Sequence, residues 1–154
     1  MEIEMMKALS YVGAFSAIAI AAFGSAYGCG VACSSAIGAW KKCYAQNKMA
    51  PFQLVIFAGS PLSQVIYGMI IMFIISPKVE ASYKMWPLLL IAGILVGVAQ
   101  AITSVWQGLV GAAACDSFAE SNKGFTNDIM AIGIVETVSI FVMAFAIVLL
   151  AAVK

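Results

Sequence analysis

The 154-residue chain contains no histidine, and all eight of its basic residues are lysines, so arginine is absent as well. It therefore lacks the usual general base, the commonest metal ligand and the side chain that clamps anions with paired hydrogen bonds. It also has no glycine-rich phosphate loop, so ATP chemistry is not expected. A net charge of +1 without a basic stripe excludes nucleic acid as a partner. The cysteines Cys29, Cys33, Cys43 and Cys115 lack zinc-site spacing and are interpreted as buried thiols.

Charged residues are scarce, at 10% of the chain, whereas 64% of residues are hydrophobic and the mean hydropathy is +1.04. A membrane-spanning helix needs roughly 20 apolar residues. Four such runs occur, at about residues 8–40, 52–75, 86–115 and 129–153. The sequence therefore predicts an all-α integral membrane protein with four transmembrane helices. Lysines are divided equally between the two sides, so the positive-inside rule gives no orientation.

The two halves of the chain resemble each other. Gly24-Ser25-Ala26-Tyr27 aligns with Gly97-Val98-Ala99-Gln100, and Pro61-Leu62-Ser63-Gln64 aligns with Gly133-Ile134-Val135-Glu136 after a small shift in the connection. An internal repeat of this kind predicts two tandem helical hairpins, residues 1–78 and 79–154. The repeat also places Gln64 and Glu136 at equivalent positions of the two hairpins, and of these two residues only Glu136 is an acid.

Small residues recur at four-residue spacing in the first and third predicted helices. The glycines concerned are Gly24, Gly28, Gly30, Gly93 and Gly97. Helices in lipid have no hydrophobic reason to associate, so small residues matter because they let two backbones approach closely. The pattern is typical either of general packing in a bundle or of a tight inner ring, in which first and third helices of neighbouring copies lie side by side.

Glu136 is a lone carboxylate inside the apolar run from Ile129 to Val153. An ionised side chain at this depth costs roughly 2.5–3.5 kcal/mol on insertion scales. Such residues usually face a protein interior and serve ion or proton transport. Glu136 is therefore the first candidate for a functional residue.

Polar side chains at positions i, i+3, i+4 and i+7 form one face of the second and third helices. They are Ser60, Ser63, Gln64 and Tyr67 in the second helix, and Gln100, Thr103, Ser104 and Gln107 in the third. Pro61 has no N–H, so we expect a kink there and a carbonyl at Phe57 that has lost its helical partner.

Together with Glu136, Thr137 and Ser139 of the fourth helix, these residues offer carboxylate, amide, hydroxyl and phenol oxygens. Oxygen ligands without thiolate or imidazole suit a hard cation. The alternative is that some of these residues serve interhelical hydrogen bonding alone. This alternative applies most to Thr103, Ser104, Gln107 and Ser139.

These motifs resemble the duplicated, four-helix rotor-ring proteolipid (K/c-type) of bacterial V-type (V/A-type) ATPases, in its sodium-translocating branch. The similarity covers the whole chain and rests on the repeat, the glycine-rich first helix and three short runs. The runs are Pro61 to Gly68, Gly97 to Gln100 and Val135 to Thr137. The pattern P-x-[ST]-Q-x-x-Y-G together with V-E-T is the most specific part.

The resemblance implies a non-catalytic, multi-pass subunit of a homo-oligomeric ring in the bacterial cell membrane, which carries Na⁺ as the ring turns. It implies a carboxylate ligand from Glu136, amide oxygens from Gln64 and Gln100, a hydroxyl from Ser63 and the backbone carbonyl of Ser60. Tyr67 would hydrogen-bond Glu136 and close the site. Ser63 stands where threonine is common in the family, and Ser60 where an apolar residue is common.

The resemblance also implies surroundings and partners. A second layer around the ion would include Pro61, Thr103, Ser104, Thr137 and Ser139. The partners would be further copies of the chain, a stator membrane subunit that supplies an arginine, the central stalk of an ATP-hydrolysing head, and lipid.

Two other functions remain open from the residues. A proton-carrying ring needs Glu136 protonated and little else, so the convergence of Gln64, Ser63 and Gln100 favours sodium. A small four-helix, proton-coupled multidrug transporter would carry its acid in the first helix, and the run 8–40 has none. A purely structural membrane protein would leave Glu136 unexplained.

Overall fold

The computed structural model describes residues 2–153, and within that range every regular element is a helix. In chain order these are α1 (Glu2–Ala45), α2 (Leu54–Gly59), a 3-10 turn (Ser60–Leu62), α3 (Ser63–Ala81), a second 3-10 turn (Tyr83–Met85), α4 (Trp86–Ser121) and α5 (Phe125–Ala151). With α2, the first 3-10 turn and α3 counted together, four helices are long and apolar enough to cross a membrane. The predicted four-helix membrane architecture is confirmed.

The helices run past their predicted ends, because charged residues outside the apolar layer continue the helical turns. α1 reaches Ala45 rather than residue 40, and α4 reaches Ser121 rather than residue 115. α3 continues through Pro77 to Ala81, so the first hairpin extends beyond residue 78. The turn into α5 uses Gly124 at φ 85°, a left-handed conformation that glycine adopts without strain.

The helices α1 and α4, with 44 and 36 residues, are longer than a membrane crossing requires. α1 has 44 residues and is therefore about 66 Å long, roughly twice the hydrocarbon thickness of a bilayer. Near its C-terminal end Lys42 forms an ion pair with Glu120 of α4. At the opposite end of the bundle Lys7 pairs with Glu80 at 2.6 Å. Both ion pairs thus join helices outside the apolar layer.

Glycines bring α1 and α4 into direct backbone contact. A Cβ atom added at Gly24 would overlap the backbone of Ala101, and one added at Gly108 would overlap Gly28. Gly13 and Gly93 face each other in the same way. The predicted close packing through small residues therefore occurs inside a single chain.

The two remaining predicted packing glycines, Gly97 and Gly30, differ in their contacts. Gly97 lies on the same contact, where an added Cβ would meet the backbone oxygen of Ser16 at 2.6 Å. Gly30 does not take part, because it is exposed and a Cβ there would meet nothing within 4 Å. Any packing role for Gly30 would have to involve another molecule.

The contacts between α1 and α4 correct the predicted alignment of the repeat. Gly97 lies opposite Ser16, Ala17 and Ile20, not at the level of Gly24. The level pairs are Gly13 with Gly93 and Gly28 with Gly108. The aligned segments are therefore Gly24 to Gly28 and Ser104 to Gly108, about two helical turns later than predicted. Apolar helices rich in small residues match one another at several offsets, so the sequence pattern alone could not select the right one.

Two apolar clusters enclose a polar layer. One cluster, toward the chain termini, includes Ala17, Ile71, Ile75, Leu89 and Leu150. The other, toward the α1–α2 connection, contains Phe57, whose ring packs edge-on against Phe118 at a centroid distance of 6.0 Å. The fully buried polar residues between them are Gln64, Gln100, Ser104, Gln107 and Ser139. The polar layer is thus shielded from water along the membrane normal.

The close approach of α1 and α4 predicts that Gly108→Ala is destabilising. The new methyl group would overlap the Gly28 backbone, and overpacking of this kind costs about 1–3 kcal/mol. Thermal unfolding in detergent should therefore occur at a lower temperature. Gly38→Ala is the matched control, because a Cβ there meets nothing within 4 Å and alanine is the better helix former. Equal melting temperatures for the two variants would contradict the packing described.

Candidate functional site

Glu136 lies in the middle of α5, half-buried and turned toward α3. The Tyr67 hydroxyl donates a hydrogen bond of 2.7 Å to its Oε1 atom. The predicted contact between these two side chains is therefore present. Within residues 2–153 the ion pairs are Lys7–Glu80 and Lys42–Glu120, both at helix ends, so Glu136 has no cationic partner in the described chain.

Pro61 breaks the regular helix just before Ser63, as predicted, and the break takes the form of the Ser60–Leu62 3-10 turn. The carbonyl of Phe57 is not free, because the Ser60 hydroxyl donates to it at 2.9 Å. The Ser60 carbonyl accepts hydrogen bonds from the backbone N–H of Ser63 and from its hydroxyl, at 3.1 Å for the latter. The serine side chain at position 60 thus replaces the bond that the proline removes.

A line of polar side chains continues from Tyr67 into the protein. Ser63 lies one helical turn before Tyr67 on α3, and its hydroxyl is 3.3 Å from Oε1 of Gln64. The Gln64 amide Nε2 then donates to Oε1 of Gln107. Gln64 and Gln107 are both fully buried, and Nε2 of Gln107 has no hydrogen-bond partner among the described residues. This line places amide and hydroxyl oxygens on the α3 and α4 sides of Glu136.

Gln100, predicted as the second amide ligand, lies in a different contact. Its Nε2 donates to the backbone carbonyl of Ser139 at 3.0 Å, and its Oε1 accepts from the Ser139 hydroxyl. Thr103 adds a hydrogen bond of 3.0 Å to the same hydroxyl. The glutamine beside Gln64 is therefore Gln107 rather than Gln100. The corrected repeat could have identified it, because Gln107 immediately precedes Gly108, the level partner of Gly28.

The remaining predicted residues take structural positions. The Ser104 hydroxyl bonds the Pro61 carbonyl at 2.8 Å and the Ser25 hydroxyl at 2.9 Å, which ties α4 to the 3-10 turn and to α1. Thr137 is exposed, and its hydroxyl bonds the Gly133 carbonyl one turn earlier. Thr137 therefore does not reach the polar line described above.

A groove of about 460 Å³ leads to Glu136 between α2 and α3 on one side and α5 on the other. Its walls are largely apolar, and its polar lining comes from Ser60, Ser63 and Glu136. The apolar lining includes Ile56, Ile66, Ile129 and Ile132. The groove by which Glu136 is reached is thus lined mainly by apolar side chains.

The geometry is that of one carboxylate, held by a tyrosine and flanked by amides and hydroxyls, inside an apolar four-helix bundle. The family of the ATP synthase C subunit matches residues 12–75 and again residues 90–149. The chain belongs to this ATP synthase family. Its two matches are consistent with a duplicated subunit. A comparison with curated proteins found no match.

Membership of this family defines the general role of the chain. It is a multi-pass membrane proteolipid of the rotor ring of an ATP synthase or V-ATPase, where copies of the proteolipid oligomerise. It translocates ions and is not catalytic, since ATP hydrolysis takes place in other subunits.

The contact between Tyr67 and Glu136 predicts that Tyr67→Phe changes the reactivity of the carboxyl group. Without the hydroxyl, Oε1 loses its hydrogen bond, and we expect a hydrophobic carbodiimide to label Glu136 several-fold faster. Mass spectrometry of purified rings over a time course measures the rate. Tyr44→Phe is the control, because Tyr44 is exposed at the end of α1. Equal labelling rates in both variants would argue against a closed contact.

Proposed function

We propose that this rotor-ring proteolipid carries Na⁺ in the ring of a bacterial V-type ATPase, in the plasma membrane. The observation that supports the proposal is the line of oxygen donors beside the half-buried Glu136, running through Tyr67, Ser63 and Gln64 to Gln107. All of these donors are hard oxygen ligands, which favour Na⁺ over soft metals.

The proposed ligands are the Glu136 carboxylate, the Gln64 amide oxygen, the Ser63 hydroxyl and the Ser60 backbone carbonyl. Gln107 takes the place first given to Gln100, because its Oε1 accepts a hydrogen bond from Gln64 and its Nε2 has no partner in the described chain. A buried amide without a full set of partners is costly. A bound cation, drawing the amide oxygen toward itself, would let the glutamine pair rearrange.

Neutralisation of Glu136 is the central step of the proposed mechanism. An ionised carboxylate facing hydrocarbon costs roughly 2.5–3.5 kcal/mol, so an empty site opposes rotation through lipid. A bound Na⁺ removes the net charge, and Tyr67 holds the carboxylate in its closed position. Release then needs a competing cation, which this arginine-free chain must receive from a stator membrane subunit. A central stalk would couple rotation to the ATP-hydrolysing head.

A proton ring is the alternative, with Glu136 protonated as it crosses the lipid. The hydrogen bond to Tyr67 would be enough for that purpose. A proton carrier does not require Gln64 and Gln107 to be buried next to Ser63. Burying two side-chain amides costs free energy unless their polar atoms are hydrogen-bonded or bind a ligand. This cost favours sodium.

Carbodiimide labelling of Glu136 in purified rings tests the proposal. Na⁺ should protect the carboxyl group and K⁺ at the same concentration should not, because the site is lined by few, closely placed oxygens. Glu136→Gln serves as the control for specificity, since its rings should assemble but take up no label. Labelling that is indifferent to Na⁺ would overturn the sodium proposal and leave a proton ring.

Gln107→Leu tests the revised ligand set. Removal of one amide oxygen should raise the Na⁺ concentration that gives half protection by at least about tenfold, which corresponds to about 1.4 kcal/mol. Labelling of the variant without Na⁺ should remain complete. An unchanged Na⁺ concentration for half protection would show that Gln107 is not a ligand of the ion.

A further inference from the structure

Helix α5 is the least buried of the four membrane-spanning helices. Within its most apolar stretch 17% of residues are buried inside the chain, against 39% for each of the other three. Within α5, hydrogen bonds to α3 and α4 occur at two levels, Glu136 and Ser139, and the Lys78 ammonium of α3 donates to the Val153 carbonyl just beyond the end of α5 at 2.8 Å. Hydrophobic burial alone does not fix a helix in lipid, because lipid is as apolar as the packing partner, so close packing and interhelical hydrogen bonds position it. The bonds at these two levels therefore act together with the packing of Phe125, Ile132 and Leu150 to orient α5.

At the second level one side chain binds two parts of the same residue. Gln100 donates to the Ser139 carbonyl at 3.0 Å and accepts from the Ser139 hydroxyl, and Thr103 adds a third bond at 3.0 Å. Gln100 and Ser139 are both fully buried. A contact that includes both the main chain and the side chain of Ser139 restricts the depth of α5 as well as its rotation.

The position of Ser139 relative to Glu136 gives this contact a consequence for the ion site. The two residues are three positions apart, which is about 4.5 Å along the helix axis and about 60° around it. Ser139 faces α4, whereas Glu136 faces Tyr67 of α3. A small rotation of α5 about its axis would therefore separate the Glu136 carboxylate from the Tyr67 hydroxyl.

We propose that Gln100 is a positioning residue for the ion-carrying carboxylate. Through its paired hydrogen bonds to Ser139 it sets the depth and rotation of α5 at which Glu136 meets Tyr67. Gln100 acts without touching the ion. The role rests on Glu136 being the ion carrier, and it holds whether the ion is Na⁺ or a proton.

The test compares rings of wild type, Gln100→Met, Ser139→Ala and Ser35→Ala. Methionine keeps the length of glutamine but makes no hydrogen bonds of this kind. Ser139→Ala removes the hydroxyl and leaves the backbone bond. Ser35→Ala is the matched control. It also removes one hydrogen bond between helices, the bond of 2.8 Å from the Ser35 hydroxyl of α1 to the Ala112 carbonyl of α4, but that bond does not involve α5.

Carbodiimide labelling of Glu136 is measured across pH without sodium, and then at one pH with increasing Na⁺. In Gln100→Met rings we expect the pH of half-maximal labelling to move by about half a unit or more, a threefold change in the proton concentration at the midpoint. The Na⁺ concentration for half protection should rise by at least about the same factor. Ser139→Ala should show a smaller shift in both, and Ser35→Ala should match wild type.

A wild-type pH profile in Gln100→Met rings would overturn the proposal even if the Na⁺ midpoint rises, because a residue that only binds the ion has no effect in its absence. If Gln100→Met rings do not assemble, Ser139→Ala decides, and a wild-type pH profile there overturns the proposal. Wild-type rings that Na⁺ does not protect would reject the sodium function, while the pH profiles would still test Gln100.

Discussion

The burial of a single carboxylate among apolar helices is the constraint on which the rest of the structure depends. Glu136 must be reachable by an ion and yet be shielded from hydrocarbon when it is empty, since an exposed charge in lipid is expensive. The half-buried position of Glu136 on α5, at the groove beside α3, meets the first part of this requirement. The Tyr67 hydrogen bond and the polar layer enclosed by the two apolar clusters meet the second.

Close packing of α1 against α4 makes that polar layer possible. The glycine contacts bring the two backbones together, and α3 then packs in the groove between them. Ser104 bonds the Pro61 carbonyl from this position, so the 3-10 turn is held directly over α4. The proline break thus places Ser63 and Gln64 in a defined orientation instead of loosening the helix.

The two hairpins of the duplicated chain contribute different side chains to the polar site around Glu136. The first hairpin supplies Tyr67, Ser63 and Gln64 from α3, and the second supplies the carboxylate from α5, the equivalent helix. Under the proposed function, the single carboxylate Glu136 gives each copy one ion site. The second hairpin also contains the Gln100–Ser139 contact, which acts on the same helix as the carboxylate.

The contact between Tyr67 and Glu136 was implied by the family resemblance. The sequence by itself determined the four apolar helices, the lone acid and the break at Pro61. These features follow from hydrophobic length, from proline chemistry and from the 3.6-residue period, which are properties of one helix at a time.

Tertiary structure alone decided which glutamine meets Gln64, which residues of α1 and α4 lie at one level, and that the Phe57 carbonyl is bonded by Ser60. Gln100 and Gln107 lie seven positions apart on one helix face, so periodicity cannot distinguish them. Their contacts depend on the relative depth and rotation of neighbouring helices. Those are set by backbone overlap at glycines such as Gly28 and Gly108, summed over the whole interface, and no single-helix pattern contains them.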